Sequence, residues 1–133
     1  MNSSIYIANS NCTKVTDMLI KNNIIAGWFL DLETFEFTVI SKALHEILGT
    51  TPQSPCSYEF FLNKILLLED RDRIERGRLQ ILSGEKQIQI KKFRAYKQDS
   101  GEILLVSTDC FAVYDDDGKK LKGIRGNLWI DSL

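Results

Sequence analysis

Apolar and polar residues alternate along three long runs in the second half of the chain, Gln87–Lys97, Glu102–Tyr114 and Leu121–Asp131. Two segments rich in Asp, Ser and Gly, Asp99–Gly101 and Asp115–Gly118, separate these runs. Alternation with a period of two is typical of a strand with one buried face, and Gly and Asp tolerate the backbone angles of tight turns. The pattern therefore predicts a meander of three antiparallel strands.

The first half of the chain predicts shorter elements. Ala26–Asp31 and Phe35–Ile40 are apolar runs joined by a polar turn, which predicts a hairpin of two strands. Ser41 precedes apolar residues at helical spacing, and Gly49 stands where a helix commonly ends in a left-handed residue. A short capped helix is therefore expected between these two positions.

The middle of the chain predicts helical turns and one longer helix. Tyr58–Leu68 is short and strongly apolar, which predicts buried helical turns. The acidic residues of Glu69–Asp72 favour a helix start, because the helix dipole attracts negative charge there. That helix ends at Ser83-Gly84, and its inward side is predicted to carry Ile74, Gly77, Ile81 and Leu82.

Helices segregated beside an antiparallel sheet make an α+β fold, here with five strands. Asp109 marks one face of the middle long strand as outward, because an unpaired buried carboxylate is costly. By the same logic Arg125 places Trp129 on the outer face, where a large indole usually has a cover. The inward face of the middle strand is then Leu104, Val106, Thr108, Cys110 and Ala112.

Residues 1–24 predict an N-terminal arm and a flanking helix. Residues 1–12 are polar, and Thr13 can cap a short helix over Lys14–Asn23 that has one apolar side. Either this helix or a second subunit is expected to cover the indole on the outer face. The candidate interface residues are Val15, Met18, Leu19 and Trp129.

Composition narrows the class of protein. The chain has 133 residues, 44% of them apolar, which is enough for one globular domain with a single core. A net charge of −1 with interspersed signs argues against a nucleic-acid groove or a basic membrane surface. We see no signal peptide and no membrane span, and three widely spaced cysteines, Cys12, Cys56 and Cys110, indicate reduced thiols in the cytoplasm.

Catalytic and metal chemistry find little support in the sequence. His45, the single histidine, is expected on a solvated or boundary face of its helix. One histidine and three scattered cysteines do not make a zinc site, and Asp115–Gly118 is followed by lysines where a calcium loop needs a later Glu. No nucleophile with a base is evident. These residues indicate a binding or sensing module with no metal.

Five short motifs, in order, resemble the PAS family of bacterial sensor proteins from about Ile25 to the end. Ala26–Phe37 (AGWFLDLETFEF) is similar to the family's first two strands, and Leu44–Pro52 (LHEILGTTP) to its first helix. Leu68–Ile74 (LEDRDRI) looks like its later helix start, and DSGEILLV and DDDGKKLKGIRGNL look like its two hairpins. The resemblance assigns residues 25–133 to a PAS sensor domain with short helices on one face of its sheet.

The resemblance also implies a function. Such a domain serves as the input module of a sensor histidine kinase or a diguanylate cyclase, and is not itself an enzyme. Flavin-binding relatives carry a reactive Cys in an Asn-Cys-Arg-Phe-Leu helix and haem-binding relatives a His on the long helix, and this chain has neither motif. The resemblance therefore predicts no flavin or haem, and leaves an unidentified small molecule open.

A small ligand would lie between the helices and the concave face of the sheet. Gly77 and Gly126 could leave room for it, with Thr108 as a polar contact. Two alternatives stay open. One is a dimerisation module with a filled core. The other is a small isomerase of the steroid-isomerase type, which would need a buried Asp or Tyr acid facing the cavity, whereas Asp109 is predicted to face outward. The candidate lining residues are Phe61, Ile65, Leu66, Ile74, Ile81, Val106, Thr108, Cys110 and Leu128.

Overall fold

The structure, a computed structural model, describes residues 26–131. The predicted arm and flanking helix, Cys12, and the candidate interface residues Val15, Met18 and Leu19 lie outside the described residues. Within them the chain forms five strands, three α-helices, one π-helical turn and one 3-10 turn. The elements are β1 Ala26–Asp31, β2 Glu36–Ile40, α1 Lys42–Leu48, α2 Tyr58–Phe60, a π-helical turn Phe61–Ile65, a 3-10 turn Leu68–Asp70, α3 Arg71–Leu82, β3 Gln87–Tyr96, β4 Ile103–Tyr114 and β5 Leu121–Ile130.

The five strands form one antiparallel sheet in the order β2-β1-β5-β4-β3. The predicted α+β architecture is therefore confirmed. β5 pairs with β1 on one side and β4 on the other, so the chain's last strand lies at the centre of the sheet. The predicted hairpin turns also form, with Gly101 at φ +76 and Gly118 at φ +74, angles that a residue without a Cβ adopts at low cost.

Local sequence signals explain the bounds of α1. The Ser41 hydroxyl accepts the backbone N–H of Leu44 at 3.1 Å, which satisfies one donor of the first turn. Gly49 ends the helix at φ +68, as its position predicts. β2 starts one residue later than expected, because Phe35 lies at φ +57 and closes the preceding turn through its N–H to the Asp31 carbonyl, 2.8 Å away.

The core lies between the helices and the predicted inward face of β4. Val106 and Cys110 of β4 are buried in one cluster with Leu44 of α1 and with Ile74 and Ile81 of α3. For two residues, the predicted inward orientation is wrong. Leu68 is 70% exposed, because it starts the 3-10 turn after buried Leu67. Leu82 is 45% exposed, because it is the last residue of α3 and lies outside the buried face that carries Ile74 and Ile81.

Other parts of the chain cover a section of each edge of the sheet. At the β2 edge, the Phe37 N–H bonds the Cys56 carbonyl and the Tyr58 N–H bonds the Phe35 carbonyl, at 2.8 and 2.9 Å. At the β3 edge, Asp70 accepts the backbone N–H of Arg94 at 2.8 Å and its guanidinium at 3.0 Å. Covered edges of this kind do not offer a template for strand addition.

Candidate ligand-binding cavity

A cavity of about 250 Å³ lies between the concave face of the sheet and the helices. All five strands, the three helices and the loop of residues 50–57 contribute side chains to its wall. Most of these side chains are aliphatic or aromatic. Seven of the predicted lining residues lie on this wall: Phe61, Ile65, Ile74, Ile81, Thr108, Cys110 and Leu128.

The other two predicted residues, Leu66 and Val106, are 1% and 0% exposed and belong to the surrounding core. The prediction from β4 and α3 missed the wall that β1, β2 and α1 provide. The period-two pattern of β1 could have identified Trp28 and Leu30, since both share a face with buried Ala26. The loop of residues 50–57 carried no such signal, and only its packing places it at the cavity.

Trp28 of β1 is the largest side chain on the cavity wall. Its indole Nε1 donates to the Thr108 hydroxyl at 3.0 Å, and its ring meets Phe37 edge-on with centroids 5.9 Å apart. The ring also lies directly against Gly126, where a Cβ would collide with Trp28 and with the Asp109 carbonyl. Gly126 therefore accommodates the indole and leaves no space for a ligand, contrary to the expectation from sequence.

Gly77 of α3 lies on the cavity wall, but it also packs closely against β3. A Cβ at this position would lie 2.8 Å from Cδ1 of Ile90 and 3.0 Å from Cδ1 of Ile88. The missing side chain allows α3 to pack closely on β3. The cavity lies between α1, α3 and the sheet, with Gly77 on its wall and Gly126 filled by the indole of Trp28.

His45 is 8% exposed and lines the cavity, so the expectation of a solvated or boundary position is wrong. Its Nδ1 lies 2.8 Å from the Thr50 hydroxyl, five residues on, because Gly49 turns the chain back over the end of α1. Burial lowers the pKa of His45 below 6.5. The imidazole therefore presents a neutral polar group to the cavity near pH 7.

Tyr58, Glu75 and Arg78 form a polar cluster where α2 meets α3. The Tyr58 hydroxyl donates to Glu75 at 2.8 Å, and Arg78 contacts both carboxylate oxygens of Glu75 at 3.1 and 3.2 Å. The Arg78 guanidinium also lies 5.6 Å from the ring centres of Tyr58 and Phe35. Burial and the Glu75 contact raise the pKa of Tyr58, so the phenol stays protonated. The charges of Glu75 and Arg78 neutralise each other at the cavity wall.

Comparison with known families and structures decides the class of the protein. A family model described as PAS fold matches residues 37–125, about two thirds of the chain. The chain belongs to the PAS family. The resemblance seen in the sequence motifs is thereby confirmed. No similar sequence was found among the curated proteins.

Solved structures share the fold at low sequence identity. The N-terminal domain of a Marinobacter aquaeolei diguanylate cyclase with PAS/PAC sensor is 19% identical, with a TM-score of 0.68 over 80% of this chain and 94% of that one. A sensory box histidine kinase/response regulator from Burkholderia thailandensis is 14% identical, with a TM-score of 0.65 over 86% and 82%. The PAS-B domain of Drosophila melanogaster Cycle with bound ethylene glycol is 11% identical, with a TM-score of 0.67 over 80% and 99%. The chain is a PAS sensory domain resembling those of bacterial histidine kinases and diguanylate cyclases.

Two cysteines of the PAS domain line the cavity, Cys56 in the loop of residues 50–57 and Cys110 on β4. Cys110 is 6% exposed, and its burial, together with the charge of Asp109, raises the pKa of the thiol to about 12. Cys110 is therefore a protonated thiol that packs as a small apolar group.

Asp109 lies on the opposite face of β4 from the cavity, as predicted, although it is only partly exposed. Its Oδ1 accepts the Asn127 backbone N–H at 2.7 Å and the Asn127 amide at 3.3 Å, and burial raises the pKa of the carboxyl. It is not part of the cavity wall that the described residues form, so it cannot serve there as the acid of an isomerase. Trp129 is half-buried on the same outer face, opposite Ser107.

The Asp-rich turn uses its carboxylates for its own backbone. Asp115 accepts the N–H groups of Lys119 and Lys120 at 3.1 and 3.2 Å. Between residues 26 and 131, no three side chains of His, Cys, Asp or Glu come together as a metal site would require. Over the same residues, no helix is long and apolar enough to cross a membrane.

Proposed function

We propose that this PAS domain is the cytoplasmic input module of a bacterial histidine kinase or diguanylate cyclase, and that its cavity binds a small, uncharged, largely apolar molecule. The observation that carries the proposal is a largely apolar cavity of about 250 Å³, in whose wall Trp28 bonds Thr108 and His45 bonds Thr50, while Tyr58 and Arg78 bond Glu75. An apolar cavity of about 150 Å³ is large enough to hold benzene, so this one has room for a somewhat larger molecule.

The chemistry of the wall selects against a charged ligand. Arg78 is the one permanently charged residue among the described lining residues, and Glu75 neutralises it through two contacts. Thr108 and His45 are engaged with Trp28 and Thr50. A charged ligand would lose its hydration without gaining a counter-charge, whereas an apolar ligand gains about 25 cal/mol for each Å² of apolar surface it buries.

The structural neighbours support both parts of the proposal. The Cycle PAS-B domain, with the same fold, was solved with ethylene glycol bound. The Marinobacter and Burkholderia neighbours come from proteins named for diguanylate cyclase and histidine kinase activity. These names supply the two output classes to which we assign the parent protein.

Toluene and benzoate form a matched pair of probes, because they have similar shape and differ in charge. At ten times its dissociation constant, a ligand stabilises the folded state by about 1.4 kcal/mol, which raises the melting temperature of a chain this size by roughly 4 °C. We expect this shift with toluene and none with benzoate. Cys110→Leu, which fills the cavity from β4, is expected to abolish the shift, whereas Leu105→Phe on the outer face of the same strand keeps it.

The proposal of an apolar cavity site would be contradicted if benzoate raised the melting temperature as much as toluene. It would also be contradicted if toluene still raised the melting temperature of Cys110→Leu. Native mass spectrometry of the purified chain then shows whether a cellular molecule is retained.

A pure homodimerisation module is the second candidate, and the outer face favours it. Tyr96 and Ile103 are 39% and 53% exposed there as a cross-strand pair, and Trp129 lies on the same face. A stable dimer by light scattering, with no toluene shift, would favour this function over ligand sensing.

A further inference from the structure

The backbone ladder between β4 and β5 is interrupted beside the cavity. Pairing stops after Thr108↔Leu128 and resumes at Phe111↔Arg125, without a change of register. Between them, Asp109 and Cys110 of β4 do not form ladder pairs with Asn127 and Gly126 of β5. On its other side, β5 stays paired with β1 without a break, including Gly27↔Asn127 and Trp28↔Gly126. The gap is therefore local to the β4–β5 contact.

Side chains bridge this gap in place of the backbone. The Asn127 N–H donates to Asp109 Oδ1 at 2.7 Å, so a carboxylate takes the place of a carbonyl acceptor. The Thr108 hydroxyl has two acceptors at almost equal distance, the Asn127 carbonyl at 3.0 Å and the Asp109 carbonyl at 2.9 Å. The first acceptor lies on β5 and the second on β4, the strand of Thr108 itself. A hydroxyl has one proton, so it donates either to Asn127, which links β4 to β5, or to Asp109, which leaves the strands unlinked at this point.

Trp28 connects this choice to the contents of the cavity. Its indole forms part of the cavity wall, and its Nε1–H occupies an acceptor site of the Thr108 oxygen at 3.0 Å. Thr108 is 5% exposed, so its hydroxyl has little access to water as an alternative partner. The position of the indole therefore constrains the direction in which the buried hydroxyl donates its proton.

We propose that Trp28, Thr108 and Asn127 form a switch in which movement of the indole by a cavity ligand changes the Thr108 bridge and loosens or tightens the β4–β5 gap. The switch rests on the proposed ligand function of the cavity. It carries a change from the concave face of the sheet to its outer face, where Asp109 and Asn127 lie, without a displacement of the helices. In this switch Trp28 contacts the ligand, and Thr108 is a positioning residue.

Amide hydrogen exchange of Asn127, followed by NMR in the full chain with and without toluene, tests the switch. One hydrogen bond of ordinary net strength changes the opening equilibrium by roughly fivefold. We expect toluene to change the Asn127 exchange rate by about that factor in the wild type and in Thr108→Ser, which keeps the hydroxyl. In Thr108→Val, which has the same shape without the hydroxyl, toluene should bind and the Asn127 rate should change less than about twofold.

Two outcomes would overturn the switch and leave the cavity function intact. In one, toluene changes the Asn127 exchange rate in Thr108→Val as much as in the wild type. In the other, toluene binds the wild type without changing that rate. If toluene does not bind, the proposed cavity function is wrong. The switch is then tested separately, by measuring Asn127 exchange in Trp28→Phe without ligand. Asn127 exchange should then be about fivefold faster than in the control Trp129→Phe, which alters an indole on the outer face. Equal rates in these two variants would refute the switch.

Discussion

Replacing Asp70 tests how α3, one wall of the cavity, is held on the sheet. The Asp70 side chain is 7% exposed and accepts the Arg94 backbone N–H at 2.8 Å, Nε at 3.0 Å and Nη2 at 3.3 Å. The Arg94 side chain is 42% exposed, so when Asp70 is replaced, water can take over most of the hydrogen bonds that the guanidinium loses. The backbone N–H at the covered edge has no such substitute, and leaving a buried donor unpaired costs about 1–3 kcal/mol.

Asp70→Ala should therefore lower the free energy of unfolding by about 2–4 kcal/mol, and Asp70→Asn, which keeps an oxygen acceptor, by about 1–2 kcal/mol. Urea denaturation at pH 7 measures both, with an unchanged slope as the check that the compactness of the states is the same. Asp72→Asn is the matched control, because Asp72 is exposed in the first turn of α3; it should stay within about 0.5 kcal/mol of the wild type.

The pH dependence provides a second check on Asp70. Hydrogen bonds from Arg94 hold the pKa of Asp70 below its usual 3.8. A lowered folded pKa means that this contribution is complete above about pH 5 and is lost as the pH falls through the folded pKa. The difference between wild type and Asp70→Asn should thus narrow below about pH 4. A difference independent of pH, or Asp70→Asn as stable as Asp72→Asn, would refute the reasoning.

Three further predictions concern the cavity and its rim. Burial lowers the pKa of His45 below 6.5, so its contribution to stability should be complete above that pH and should be lost as the pH falls through the lowered folded pKa. His45→Gln should flatten this part of the denaturation profile. Gly49→Ala should lower stability by about 1–3 kcal/mol in a urea titration, because φ is +68 and the new Cβ would lie 2.8 Å from the Asp99 backbone nitrogen. Gly118→Ala, at a similar φ of +74 but with open space around it, should cost less. Cys110 should resist thiol labelling in folded protein at pH 8 while half-buried Cys56 reacts, which peptide mass spectrometry can show; equal rates would contradict the packing of β4.

The covered edges bear on how this PAS domain can associate. The loop of residues 50–57 and α2 bond the β2 edge, and Asp70 bonds the β3 edge. Backbone groups of Phe35, Phe37 and Arg94 are therefore not available to another strand. Association between copies is therefore expected through the outer face, which carries Trp129 and the cross-strand pair of Tyr96 and Ile103.

Much of the fold follows from signals that act within a few residues. Ser41 and Gly49 delimit α1 because a cap bond and a left-handed angle depend on adjacent backbone alone. The alternation in β4 separates the face of Val106 and Cys110 from that of Asp109, because side chains of a strand point to opposite sides. For this reason the sequence was sufficient to predict the five strands, and seven of its nine candidate residues lie on the cavity wall.

The tertiary structure decided which of these residues meet. Trp28 and Thr108 are 80 positions apart and bond only because β1 and β4 flank the same strand. His45 was expected near solvent, and it is buried because the chain after Gly49 folds back over it. The glycine at 126 was expected to leave a space, and an indole from another strand fills it. Helical and strand periodicity is a local property of the chain, whereas the partner of a buried polar group depends on strand register and helix packing, which no single segment determines.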